Sequence, residues 1–113
     1  MAYERGAVVL VRFPFTDLGG SKQRPALVVS PPRFNRGQDV IVVAITSSRV
    51  EDPGPYDHPL KAWKSCGLLH PSAVRAGKVV TLDASMIRRT LGAIDEADLA
   101  AVEAKLKDAL GLA

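Results

Sequence analysis

The sequence predicts a small, mainly β barrel with one C-terminal helix, and three observations predict it. Apolar, β-branched runs are short and punctuated by Gly and Pro, as in folds built from many short strands. From residue 95 onward the apolar residues recur at helical rather than strand spacing. A chain of 113 residues holds one hydrophobic core and leaves no room for a second, so residues 1–113 read as a single domain.

The elements follow in order. Gly6 precedes a first strand over residues 7–13, which Pro14 ends because it cannot donate to a ladder. Residues 16–22, with Gly19-Gly20, form a turn-rich loop. A second strand over 26–29 is halted by Pro31-Pro32, and Phe34-Asn35-Arg36-Gly37-Gln38-Asp39 connects it to a third over 40–45. Residues 47–57, containing Pro53-Gly54-Pro55, make a polar loop. Short strands are expected at 58–61, 67–70, 78–82 and 91–94, with Asp83 capping a turn through 84–86. Asp95 is a fitting N-cap for the helix, Glu96 and Asp98 place negative charge in its first turn, and Gly111 ends it. Its apolar stripe is Leu99, Val102, Leu106, Ala109 and Leu110, which leaves an acidic face for solvent.

Composition narrows the function classes. Hydrophobic residues make up 47% and charged residues 24%, the balance of a soluble globular domain. No apolar run approaches the roughly 20 residues of a membrane helix, so no membrane role is expected. The single cysteine, Cys66, excludes an intrachain disulfide; with His58 and His70 it matches no standard metal motif. A cytoplasmic, reduced protein without metal or other cofactor is the expectation, with Cys66 as a small buried residue. Residues 95–108 carry five acids and two bases. Taking these from the 12 acids and 15 bases of the chain leaves 7 acids and 13 bases elsewhere, an excess of +6. The β-rich body is therefore the basic part and favours polyanionic partners.

Chemistry gathers at two strand ends. Arg24 stands where the second apolar run begins, and Thr46 where the third ends. In an antiparallel pair the start of one strand lies beside the end of its neighbour. A guanidinium and a hydroxyl can therefore meet at one rim, a combination suited to a phosphate. Taken singly, Arg24 can equally pair with Asp17 or Asp39, and Thr46-Ser47-Ser48 can be an ordinary strand exit. Lys22, Arg36, Arg49, Lys61 and Lys64 lie in expected loops where they can follow a nucleic-acid backbone or simply meet solvent. Trp63 and Tyr56 can stack on unpaired bases, and Trp63 can equally fill a pocket at the barrel rim.

A series of short motifs begins with Gly6-Ala7-Val8-Val9-Leu10-Val11, Phe13-Pro14-Phe15-Thr16-Asp17 and Arg24-Pro25-Ala26-Leu27-Val28-Val29. It continues through Phe34-Asn35-Arg36, Ile45-Thr46-Ser47, His58-Pro59-Leu60, Gly67-Leu68-Leu69, Pro71-Ser72, Leu82-Asp83 and Leu91-Gly92. In the order and spacing of these motifs, the chain resembles the PemK/MazF family of toxin endoribonucleases. The resemblance implies an SH3-like barrel of the type shared by CcdB, Kid and MazF. It also implies a homodimer, a cognate antitoxin, and metal-independent, sequence-selective cleavage of single-stranded RNA. Its site arginine and threonine correspond to Arg24 and Thr46, with Gln23, Ser47 and Ser72 as neighbouring RNA contacts. Some relatives carry an arginine and an aspartate where His70 and Ser72 stand here, so the resemblance does not assign the group that removes the 2′-hydroxyl proton. His70, which can titrate near neutrality, is a candidate for that proton or a half-exposed strand-end histidine. Ser72 is a turn residue or a phosphate contact. The rival expectation is a barrel of the same shape that acts by binding a protein, as gyrase poisons do, or that only binds an antitoxin.

Overall fold

The computed structural model describes residues 3–12 and 23–112. Phe13, Pro14, Thr16, Asp17 and Lys22, and with them the expected first loop, lie outside the described residues. Six strands form one antiparallel sheet: β1 (Ala7–Arg12), β2 (Gln23–Val28), β3 (Asp39–Thr46), β4 (Asp57–Pro59), β5 (Ala73–Asp83) and β6 (Ile87–Ala93), in the spatial order β4-β5-β3-β2-β1-β6. A one-turn helix, α1 (Pro32–Asn35), follows β2, and the C-terminal helix, α2 (Glu96–Ala109), follows β6. The mainly β architecture with a C-terminal helix is as the sequence predicts.

Connectivity forces the sheet to curl. β5 and β6 lie on opposite sides of the β3-β2-β1 trio, yet only the three-residue 3₁₀ turn Ala84–Met86 joins them. The end of β5 must therefore meet the start of β6 across one face. Leu82 and Ile87 accordingly share a cluster with Val9, Val11, Ala26, Val28, Val40 and Val42. On the other face Val8, Leu27, Val43, Ile45 and Val74 pack with Val102 of α2. Both faces of the central strands are thus buried, which is why their sequences read as continuous apolar runs rather than alternations. Burying a valine contributes about 1.5 kcal/mol or more, so these two clusters are the main source of stability.

Caps close the elements as expected: Asp83 accepts from Ser85 N–H at 2.9 Å, and Asp95 from Ala97 N–H at 3.0 Å. Cys66 is fully buried, and burial, followed by the charges of Asp98 and Asp95, pushes its thiol pKa up.

Several elements differ from expectation. Residues 67–70 are not a strand: Gly67 takes a left-handed φ of +78° after a series of turns over 61–67. β6 begins at Ile87 rather than at 91, because an edge strand tolerates three successive exposed residues, Arg88, Arg89 and Thr90. β5 starts at Ala73, and its apolar pattern is broken by a bulge between its pairings Ala44–Arg75 and Val43–Val79. The connection after Pro31 opens with α1, whose Asn35 is buried and donates to the carbonyls of Tyr3 and Ser30. The apolar stripe of α2 stops short, since Leu110 is 55% exposed, whereas Asp98, expected in solvent, is 2% exposed.

Candidate active site

β2 and β3 pair from Val28–Val42 to Ala26–Ala44, where the ladder ends; carried two residues further, that register sets Arg24 level with Thr46. The two side chains therefore share one face at one rim of the sheet. β1 and β5 flank the pair: Val11 lies opposite Arg24, and Ala73 opposite Thr46. One step further along that register, Ser47 comes level with Ser72.

A cleft of about 460 Å³ opens at this rim and is lined by Arg24, Thr46, Ser47, His70, Ser72 and Arg89, among others. Its far wall is the lip 67–70, with Leu69 standing 86% exposed. Close backbone contact between this lip and β6 places it. A Cβ on Gly67 would lie 2.1 Å from the Leu91 carbonyl oxygen, and one on Gly92 would lie 2.7 Å from Cys66 backbone atoms. Only glycines allow that approach.

Hydroxyls at the rim are preset. Thr46 Oγ1 accepts from Ser48 N–H at 3.2 Å and shares a hydrogen bond with Ser48 Oγ at 2.9 Å. Ser72 is buried and its hydroxyl donates to the His70 carbonyl at 2.9 Å, so it holds the turn that carries His70. The His70 side chain is exposed and forms no hydrogen bond among the described residues. Arg24 has no ion pair among the described residues, and Asp39 lies at the opposite end of β3. No Asp or Glu among the described residues lines the cleft. Two guanidiniums, a hydroxyl and a histidine line this cleft, and such groups suit an anionic ligand.

The other expected residues are dispersed. Gln23 is exposed beside Arg24, opposite Arg12. Arg36 caps α1, before the start of β3, and so stands at the opposite end of the sheet from Thr46. Lys61 and Lys64 lie on the turns behind the lip, with Lys64 Nζ 5.6 Å from the Trp63 ring centre. Trp63 packs against the helix-side core, and the Tyr56 hydroxyl donates to Asp108 at 3.0 Å. Arg49 lies in a second hollow, 3.5 Å from Asp57. Lys22 is outside the described residues. No group of three His, Cys, Asp or Glu side chains is placed to hold a metal among the described residues, and no described helix is long and apolar enough to cross a membrane.

Sequence reasoning missed Arg89 and Ser48. The signal for Arg89 was the polar run between Ile87 and Leu91, which reads as a loop until β6 is seen pairing with β1 through Leu10 and Arg89. For Ser48 it was the spacing Thr-x-Ser at a strand exit, which lets a hydroxyl and an N–H fold back on the threonine.

Known proteins share this fold. The chain is similar over 99% of its length to an endoribonuclease from a mycobacterial species solved with its cognate antitoxin; identity is 29%, the TM-score is 0.81, and 98% of that chain is covered. A MazE–MazF crystal structure from Deinococcus radiodurans matches at 27% identity and a TM-score of 0.80, covering 100% of this chain and 99% of that one. Mycobacterium tuberculosis toxin MazF-mt6, at 20% identity and a TM-score of 0.76 over 95% of this chain and 98% of its own, shares the fold. No curated protein matches the chain. The model of the PemK-like, MazF-like toxins of type II toxin–antitoxin systems matches residues 4–110. With that match spanning nearly every element from β1 to α2, the chain belongs to the PemK/MazF-like toxin family of type II toxin–antitoxin systems.

Proposed function

We propose that this toxin is a metal-independent, sequence-selective endoribonuclease that cleaves single-stranded RNA at the Arg24–Thr46 rim. The observation that carries the reading is the cross-strand placement of Arg24 and Thr46 in a cleft that no described carboxylate lines. In this reaction the substrate's own 2′-oxygen attacks phosphorus as its proton leaves. The P–O5′ bond then breaks and the departing 5′-oxygen takes up a proton. The products are a 2′,3′-cyclic phosphate and a 5′-hydroxyl, and no water is consumed in the cleavage step.

Arg24 places its fork of donors against the non-bridging oxygens and stabilises the dianionic phosphorane. A guanidinium offers donors and no acceptor, so electrostatic stabilisation rather than base catalysis is its role. Thr46 donates one hydrogen bond to a non-bridging oxygen, while the Ser48 N–H occupies one of its lone pairs and orients the hydroxyl. His70, at the lip, carries the proton to or from a substrate oxygen. Ser47 and Ser72 border the same anion, and Gln23 and Lys22 adjoin it along the chain. The toxin acts as a homodimer, and its antitoxin lays an acidic segment across the cleft, excluding RNA by occupying its charge contacts. The relatives solved with antitoxins support that pairing.

The test is cleavage of a long single-stranded RNA in EDTA, with ends mapped by primer extension and product termini identified chemically. Arg24→Ala should abolish cleavage while leaving the fold intact, because Arg24 is exposed. Undiminished cleavage by that variant overturns the assignment. Toxicity to cells with RNA left intact would favour a protein-binding poison instead.

A further inference from the structure

A second basic hollow lies beside the cleft. The bulge in β5 leaves residues 76–78 without partners on β3. It brings Lys78 to the same hollow as Arg75 and Arg49, a space of about 410 Å³. Asp57 is the single carboxylate among the described residues lining it and is 6% exposed. Oδ2 accepts from Gly54 N–H at 2.8 Å and lies 3.5 Å from Arg49 Nη1, and Oδ1 lies 3.6 Å from Arg75 Nε, beyond hydrogen-bond distance. Three cations therefore line a hollow with one carboxylate. Arg75 Nε is buried without a hydrogen-bond partner, and the guanidinium makes no hydrogen bond among the described residues.

The hollow and the cleft share no lining residue, but two short stretches of chain link their walls. Arg49 follows Ser47 by two residues, and Arg75 follows Ser72 by three. At about 3.3 Å per residue of strand, the second path is about 10 Å long. A single extended polyanion seated at Arg24 and Thr46 would cross Ser47 and Ser48 and reach Arg49.

We propose that the hollow of Arg49, Arg75 and Lys78 is a phosphate subsite for the RNA strand flanking the cleaved bond. The inference rests on the endoribonuclease reading of the cleft and extends it to the rest of the substrate. Guanidinium forks and a lysine match the oxyanions of a phosphodiester. An acidic peptide is the weaker fit, since peptides are held through side-chain pockets and the hollow is lined by glycine, proline, tyrosine and charge, with no aliphatic side chain beyond Pro55. A subsite of this kind reads phosphates rather than bases, so it raises affinity without setting the cleavage sequence.

The experiment uses the whole protein and two single-stranded oligonucleotides centred on a mapped cleavage site, each blocked by a 2′-deoxy sugar there. One spans only the cleft; the other extends well to both sides. Affinity is measured by fluorescence anisotropy at several salt concentrations for wild type, Lys78→Ala and Arg75→Gln. Lys78 is exposed, so its variant keeps the fold even if Arg75→Gln does not. The variants should weaken the long oligonucleotide and lower its salt slope by about 0.7 for each phosphate that is no longer neutralised. The short one should bind unchanged, and cleavage of long RNA should show a raised KM with unchanged kcat. Variants that bind the long oligonucleotide with wild-type affinity and slope overturn the subsite alone. So does a weakening confined to the complex with an acidic antitoxin segment. Wild-type protein that binds neither oligonucleotide overturns the reading of the cleft and this proposal with it.

Discussion

His58 Nε2 donates to Asp98 Oδ1 at 2.8 Å and so ties β4 to the C-terminal helix. Asp98 also accepts the backbone N–H groups of Lys61 and Ala62, at 3.2 and 3.0 Å. The helix thereby grips the start of the turn segment whose far end is the lip of the cleft. Of the two histidines, His58 is the one built into the fold and His70 the one left at the site.

Acid should loosen this grip. Burial pushes the Asp98 carboxyl pKa up, but hydrogen bonds from His58 and the Ala62 and Lys61 N–H groups, with the attraction of His58, outweigh it and hold it below the usual carboxylate range. A carboxyl depressed in the folded state stabilises fully above its unfolded pKa, and that stability is lost as pH falls through the folded value. Urea unfolding should therefore show falling stability below about pH 4. Asp98→Asn should flatten that limb and cost about 3 kcal/mol at neutral pH, because it leaves a buried network broken.

The glycines of the lip should be intolerant. Gly67→Ala faces both a φ of +78° and a carbonyl oxygen 2.1 Å from the new Cβ, and should cost about 3 kcal/mol in urea unfolding. Gly111→Ala shares the positive φ, at +72°, but meets nothing within 4 Å. It should cost only about 1 kcal/mol. Equal destabilisation at the two positions would refute the close packing of the lip on β6.

Thr46→Val removes the hydroxyl proposed to donate to the phosphate and should lower single-turnover cleavage by about 10²- to 10³-fold. Ser48→Ala keeps the N–H that orients Thr46 and removes only the shared hydroxyl bond. Its cleavage rate should fall by about tenfold or less. A larger fall in Ser48→Ala than in Thr46→Val would place the donor on the wrong residue.

His70→Gln should leave the melting temperature unchanged, since the ring is exposed and makes no hydrogen bond among the described residues. Cleavage should fall by about 10²-fold, and one limb of the pH–rate profile should disappear. A profile that keeps both limbs would move the proton transfer to another group.

Local rules made much of this protein legible. Strand runs, both Asp caps and the helix start follow from period and capping chemistry, which act within a few residues. That Arg24 and Thr46 line one cleft was also legible, because neighbouring antiparallel strands bring the start of one to the end of the next. Strand limits were less so: charged residues on β6 and the bulge in β5 hide strand behind a polar pattern.

The sequence by itself determined the mainly β class, the C-terminal helix, and the strand ends that carry Arg24 and Thr46. Only the tertiary structure decided which other groups join that rim. Arg89 reaches the cleft because the last strand returns to pair with the first, and Arg36 does not because β3 separates it from Thr46 by its full length. Asp98, one acid among several on α2, is buried because its face of the helix meets β4. These placements depend on sheet order and curl, set by contacts between residues far apart in the chain. Periodicity and capping, which act locally, carry no record of them.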